Sequence, residues 1–175
     1  MITRFEDLDL TKQYTYANYL TWQFQERLEL IKGYIFPMLA PARRHQQMLW
    51  KLTGQCWEAF KGGPCGVYFA PFDVRLPRKP TVDNQKVTTV LQPDLCVIYD
   101  LAKLDDKGCN GAPDLVVEIL SPGNTRKEMK RKFDAYQEAG VREYWIFQPD
   151  DRNVFQYVLS DEGIVHWPVP AHRRR

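Results

Sequence analysis

The sequence predicts a mixed α/β (α+β) domain, a central mixed sheet flanked by helices. Strand-length apolar runs recur along the chain: VYFAPFDVRL (67–76), VTTVLQPDLCVIY (87–99), PDLVVEIL (113–120), EYWIF (143–147) and NVFQYVL (153–159). Segments with helical spacing interrupt them, near 41–60 and 126–139. A chain of 175 residues, 44% apolar and 13% aromatic, is long enough for one core that buries about 70% of its unfolded surface.

Taken in order, Tyr14 to about Arg27 reads as a helix, with Tyr16, Tyr19, Leu20, Trp22 and Phe24 on a broad apolar side. LELIKGYIF (28–36) reads as a strand that turns at Gly33. Pro41 stands near the start of a helix whose Met48, Leu49, Leu52, Trp57 and Phe60 keep helical spacing, and GGPCG (62–66) ends it. Strands 67–76 and 87–99 follow, joined by a polar linker, PRKPTVDNQK. The loop DDKGCNGAP (105–113) leads into strand 114–120. From about Arg126 to Ala139 a helix sets Met129, Phe133 and Tyr136 at i, i+4 and i+7. Thr125 is its expected N-cap, Glu128 the reciprocal partner in a T-x-x-E capping box, and Gly140 its stop. Strands 143–147 and 153–159 flank the turn QPDD, and IVHWPVP runs into a basic tail at 171–175. One helix between strands 114–120 and 143–147 predicts a parallel, right-handed crossover. No repeat or second domain is visible, so residues 1–175 read as a single domain.

Composition removes several functional classes. No run of 18 apolar residues exists, so no membrane span is expected. MITRFEDLDLTKQY lacks the apolar core of a signal peptide, and a cytoplasmic location is expected. Cys56, Cys65, Cys96 and Cys109 form no CxxC pair and have no ligand spacing with His45, His166 or His172, which argues against zinc and for free thiols. The net charge is only +2, and Arg173, Arg174 and Arg175 supply three positives, so no global field recruits nucleic acid. Positive charge is local: Arg126, Lys127, Lys130, Arg131 and Lys132 stand against one acid, Glu128, a pattern that an exposed helix face also explains.

The residue that calls for an explanation is Glu118, a carboxylate between Val117 and Ile119 in a strand apolar on both faces. Strand alternation puts Asp114, Val116, Glu118 and Leu120 on one face and Leu115, Val117 and Ile119 on the other. Asp114 is four residues away, roughly 13 Å along a strand, too far to share an ion held at about 2.0–2.6 Å. The second PDL, at Pro93-Asp94-Leu95, opens another apolar run. Pairing of strands 94–99 and 114–120 with Asp94 beside Glu118 would bring two carboxylates together, which calls for a cation or a shared proton. A hard ion such as Mg²⁺ (or Mn²⁺) suits those oxygens. Lys132 either pairs with Glu128 one turn back or reaches the carboxylates, where it would stabilise charge on an attacking water or phosphate oxygen. Arg126 or Arg131 is the alternative partner for Glu118.

QPDL (92–95), PDLVVEILSP (113–122), the Lys132-Phe133-x-x-Tyr136 helix and AGVREYWIFQPD (139–150) together resemble the Uma2 family, bacterial proteins regarded as restriction endonucleases of PD-(D/E)xK nuclease-like fold. The resemblance is strongest over 90–150 and extends more weakly to LELIKG (28–33) and the His45 region. It implies a restriction-endonuclease-like sheet in which Asp94 and Glu118 hold the metal. The third position of the (D/E)xK motif is Leu120, and Lys132 on the following helix takes the place of the lysine. Glu29 matches a first-strand glutamate that orients a metal-bound water, or is a strand-edge residue. His45 matches a histidine near the start of the second helix, where it serves the site or only caps and packs. Lys32 stands where the family carries an acid.

The expected activity is Mg²⁺-dependent hydrolysis of DNA phosphodiester bonds, with Asp94, Glu118, Lys132, Glu29 and His45 at the site and Arg126, Lys127 and Lys130 on backbone phosphates. A duplex has two strands, so a homodimer is the expected assembly, with no membrane partner and no organic cofactor. The rival reading is a catalytically inactive protein of this fold that acts as a DNA-binding or protein-interaction module. A cysteine hydrolase built on Cys96 and His45 is a third reading, weakened by the core setting of Cys96.

Overall fold

The aromatic residues that follow Tyr14 form a packed cluster, not one face of a long helix. The computed structural model describes residues 2–160, and 163–168 as backbone alone; the basic tail at 171–175, with His172, lies outside the described residues, as does the side chain of His166. Helix α1 spans only Tyr16–Tyr19, closed by a capping box in which Thr15 and Asn18 bond each other reciprocally. Beyond it Tyr16 stacks on Tyr19, Trp22 on Phe24, and Tyr14 meets Trp22 edge-on. The helix expected over 14–27 is therefore corrected to one turn: burying five rings on a sheet outweighs what a marginal helix offers.

The run 28–36 is a hairpin of β1 (Leu28–Ile31) and β2 (Tyr34–Pro37). Lys32 and Gly33, at φ 53° and 87°, form its two-residue turn, the left-handed pair that matches the twist of antiparallel strands. Helix α2 (Arg43–Phe60) follows. Two prolines then divide the long apolar runs. Around Pro71 the segment 67–76 becomes β3 (Gly66–Phe69) and β4 (Val74–Arg75), and around Pro93 the segment 87–99 becomes β5 (Val90–Leu91) and β6 (Leu95–Ile98). Proline has no N–H for a ladder, so the chain leaves one sheet and enters the other at each. The loop 105–113 contains a small hairpin, β7 (Leu104–Asp105) with β8 (Gly108–Asn110), which alternation could not reveal over so few residues. Then come β9 (Leu115–Ile119), α3 (Arg126–Ala139), β10 (Glu143–Gln148), β11 (Asn153–Ser160) and β12 (Gly163–Pro168).

Among the described residues the strands form two sheets, ordered β2-β1-β5-β4-β8-β7 and β12-β11-β10-β9-β6-β3. β9 and β10 are parallel and joined by α3, the crossover the sequence predicts. Val117 and Ile119 point to α2, with Leu52, Leu95 and Val97. Val116 packs on the other face with Ala135 and Tyr136 of α3 and with Val74 and Leu91 of the first sheet. Leu28 and Leu30 face the N-terminal aromatics. Glu29, between them in sequence, is left facing α3 and Glu118.

Candidate functional site

β6 and β9 are antiparallel with Leu95 opposite Val117, so one step further along the same register sets Asp94 opposite Glu118. Asp94 follows Pro93 directly, at the point where the chain has just changed sheets. Its Oδ2 accepts a hydrogen bond from the Ile119 N–H at 2.7 Å, and its Oδ1 lies 2.9 Å from His45 Nε2. Both oxygens are thereby oriented, one by a strand backbone and one by the first turn of α2. His45 Nδ1 is buried without a hydrogen-bond partner among the described residues.

Lys132 does not pair with Glu128. Its Nζ lies 3.1 and 3.2 Å from the two Glu118 oxygens and 3.0 Å from Glu29 Oε1. Tyr136, one turn further along α3, donates to Glu118 Oε1 at 2.8 Å. Glu29 Oε1 also accepts from the Gln92 N–H at 3.0 Å. These polar groups are deep: Glu29 is 3% exposed, His45 7%, and Glu118 and Lys132 each 8%. They line one wall of a cavity of about 430 Å³ together with Asp94.

Two carboxylates, Glu118 and Glu29, share one ammonium here, and Asp94 stands opposite Glu118. Burial pushes the Glu118 carboxyl up to about 8; Lys132 opposes that shift, and Asp94 and Glu29 add to it. Burial also works against the charge of Lys132, but Glu118 and Glu29 more than offset it and hold its pKa above the ordinary value. Tyr136 is raised as well, by burial and then by Glu118, so its hydroxyl keeps its proton and stays a donor.

The donor set fits a hard divalent cation. Asp94 and Glu118 would offer carboxylate oxygens from opposed positions of neighbouring strands. Among the described residues no three His, Cys, Asp or Glu side chains converge to hold a metal alone. Water or substrate oxygens would have to complete the shell, which suits Mg²⁺.

The other residues singled out in the sequence fall elsewhere. Arg126, Lys127 and Lys130 are exposed on α3, Lys130 bridges to both Asp134 oxygens at 2.9 and 2.7 Å, and none of the three lines the cavity. Arg131 does line it, with its guanidinium 4.7 Å from the Phe36 ring centroid and not on Glu118. Asp114 accepts from the Tyr99 N–H at 2.8 Å, away from the cavity. Lys32 pairs with Glu138 at 2.6 Å on the surface. Thr125 does cap α3, accepting from the Glu128 N–H at 3.2 Å, but the Glu128 carboxylate bonds Asn124 instead of closing the box. Cys96 is fully buried and its thiol is pushed well up by burial and by Cys109, so with His45 committed to Asp94 the cysteine hydrolase reading fails.

Sequence reasoning missed Tyr136, Gln92 and Arg27. Tyr136 counted as an apolar position of α3, although it stands four residues after Lys132 on the same face. Gln92 and Arg27 gave no signal beyond their places next to Pro93-Asp94 and β1.

The model of a family described as "Putative restriction endonuclease" matches residues 16–172. No curated protein matches the sequence. Among solved structures, a crystal structure described as "a putative nuclease" from Anabaena variabilis is 17% identical, over 90% of this chain and 86% of that one, with a TM-score of 0.68. That likeness establishes a shared fold. The match over 16–172 establishes more: the chain belongs to the Uma2 family.

Proposed function

We propose that the protein is a Mg²⁺-dependent (or Mn²⁺-dependent) endonuclease that hydrolyses DNA phosphodiester bonds. The observation that carries this reading is the pair Asp94 and Glu118, set side by side across β6 and β9, with Lys132 brought to Glu118 by α3. The family description points the same way. Asp94 and Glu118 would hold the ion, whose chemistry is to polarise the scissile phosphate and to lower the pKa of a bound water.

The protein's own groups supply the rest. Lys132 has three N–H donors, and its contact with Glu118 is split over two oxygens. Settling on one oxygen frees a donor for charge developing on the attacking or scissile oxygen. Glu29 Oε2 has no partner among the described residues, because Gln92 and Lys132 both use Oε1. It is the acceptor that orients the attacking water. His45 fixes Asp94, and Tyr136 fixes Glu118 through its hydroxyl. Two such sites, one per strand of a duplex, make a homodimer the working assembly. Arg126, Lys127 and Lys130 remain candidates for contacts with more distant phosphates.

The test is cleavage of supercoiled plasmid. Asp94→Ala and Glu118→Ala should each reduce Mg²⁺-dependent cutting to background while the variants melt cooperatively; full activity in either one refutes the reading. One feature favours the rival, a non-catalytic module: the Lys132 ammonium already gives Glu118 and Glu29 a cationic partner. Calorimetry separates the two, since the module would show no heat on titration with Mg²⁺ or Mn²⁺.

A further inference from the structure

Two arginines line the same cavity as the acidic pair, and neither is neutralised. Arg27, half-buried just before β1, directs Nε and Nη2 to Gln92 Oε1 at 3.2 and 2.8 Å. Its partner is a neutral amide. Among the described residues Arg27 has no carboxylate within ion-pair distance. Gln92 is itself fixed, its Nε2 donating to Asp73 Oδ1 at 2.8 Å and to the Tyr19 hydroxyl at 3.3 Å. One edge of the guanidinium is thus anchored, and the Nη1/Nη2 edge is left without a protein partner. Arg131, half-buried on α3, rests on the Phe36 ring and likewise pairs with no carboxylate among the described residues. Glu128 also lines the cavity, but Asn124 holds its carboxylate at 2.9 Å.

A half-buried guanidinium gains little from remaining unpaired. The buried Arg75, by contrast, meets a carboxylate, Asp105, at 2.6 Å. A free planar fork beside a polar cavity matches the paired oxygens of a phosphate, which accept two parallel N–H bonds. Lysines on an open helix face offer no such geometry.

We infer that Arg27 and Arg131, which both line the Asp94/Glu118 cavity, grip the backbone phosphates of the nucleic-acid strand lying in it. The inference deepens the proposed function and rests on it for the identity of the substrate. Arg27 is bound through β1 and Gln92 to Glu29, and Arg131 adjoins Lys132 on α3. A strand held by both is thereby placed against the residues that act on it, whereas Arg126 and Lys127 can touch only chain that has already left the cavity.

The test is binding of a fluorescent 20-base-pair duplex by anisotropy, with Ca²⁺ in place of Mg²⁺ to slow hydrolysis, over a salt series. The wild-type chain, Arg27→Ala, Arg27→Lys and Arg131→Ala are compared. Each alanine variant should bind about tenfold more weakly or worse and lose about 0.9 from the slope of log K against log salt, the signature of one phosphate contact. Arg27→Lys keeps the charge but not the fork, so it should retain the slope while losing affinity. Arg131→Ala removes only a ring contact from the folded protein, so it carries the test should Arg27→Ala disturb Gln92. Wild-type affinity and slope in both alanine variants, with cleavage intact in the parent, would overturn the inference and leave the proposed function standing. Arginine-dependent binding without any cleavage would support the inference and overturn hydrolysis. A wild-type chain that binds no duplex overturns both.

Discussion

At the scale of single residues the decisive group is Glu118. A carboxyl in an apolar strand was the anomaly in the sequence, and the structure supplies its partners: Lys132, Tyr136 and, across the ladder, Asp94. With its pKa pushed up to about 8 by burial, Glu118 competes for a proton near neutral pH when no further cation is bound. A metal held there as proposed would have to displace that proton. The affinity for Mg²⁺ should therefore fall by about tenfold for each pH unit below 8, with close to one proton released per ion bound. Calorimetry in buffers of different ionisation enthalpy counts that proton directly. An affinity flat between pH 6 and 8 would show that Glu118 is already ionised without metal. Asp94 was legible as the cross-strand partner because PDL occurs twice. The bond between Lys132 and Glu29 was not, because those residues lie 103 positions apart and no local spacing links them.

At the scale of elements, α3 was the most legible, since its ends are set by local chemistry. Thr125 caps it, and Gly140 closes it at φ 83°, as the turn residues indicate. Gly33 looks like the same kind of stop, yet the two glycines differ in what surrounds them. A Cβ at Gly140 would meet no atom within 4 Å, whereas one at Gly33 would stand 2.9 Å from Gln13 Cβ and 3.2 Å from the Tyr14 carbonyl. Gly140→Ala should therefore cost only the backbone term, about 1 kcal/mol, and Gly33→Ala clearly more, because the N-terminal segment must also shift. Urea denaturation of both variants measures the difference, and equal losses would show that the segment gives way freely. The strands 67–76 and 87–99 were misread as continuous because periodicity records apolar character and not sheet membership. Pro71 and Pro93 carried the missing information. The ring-rich segment 14–27 misleads for a different reason: tertiary burial overrides a helical pattern that cannot persist alone.

At the scale of the whole molecule, two sheets and α3 enclose two acids paired with one lysine and a third, Asp94, beside them, which is a cost to the fold when no further cation is present. The sign of the pH effect follows from Glu118. Its folded pKa lies above its unfolded value, so the folded state binds the proton more tightly. That contribution is complete below about 4.5 and is lost as pH rises through about 8. Lys132 stays protonated across this window and does not alter the trend. In EDTA the protein should thus lose stability between pH 5 and 8.5, at up to about 1.4 kcal/mol per pH unit from this group. On the proposed function, divalent ion should act in the opposite sense, adding about 2.7 kcal/mol at a hundred times its dissociation constant. Glu118→Gln keeps the side-chain shape and removes the titrating group. It should flatten the pH dependence in EDTA, raise the melting temperature at pH 8.5 above that of wild type, and abolish the gain from Mg²⁺. A variant that still melts with the wild-type pH slope would assign that slope to groups outside the cluster, and the acidic site would then carry no strain for a metal to relieve.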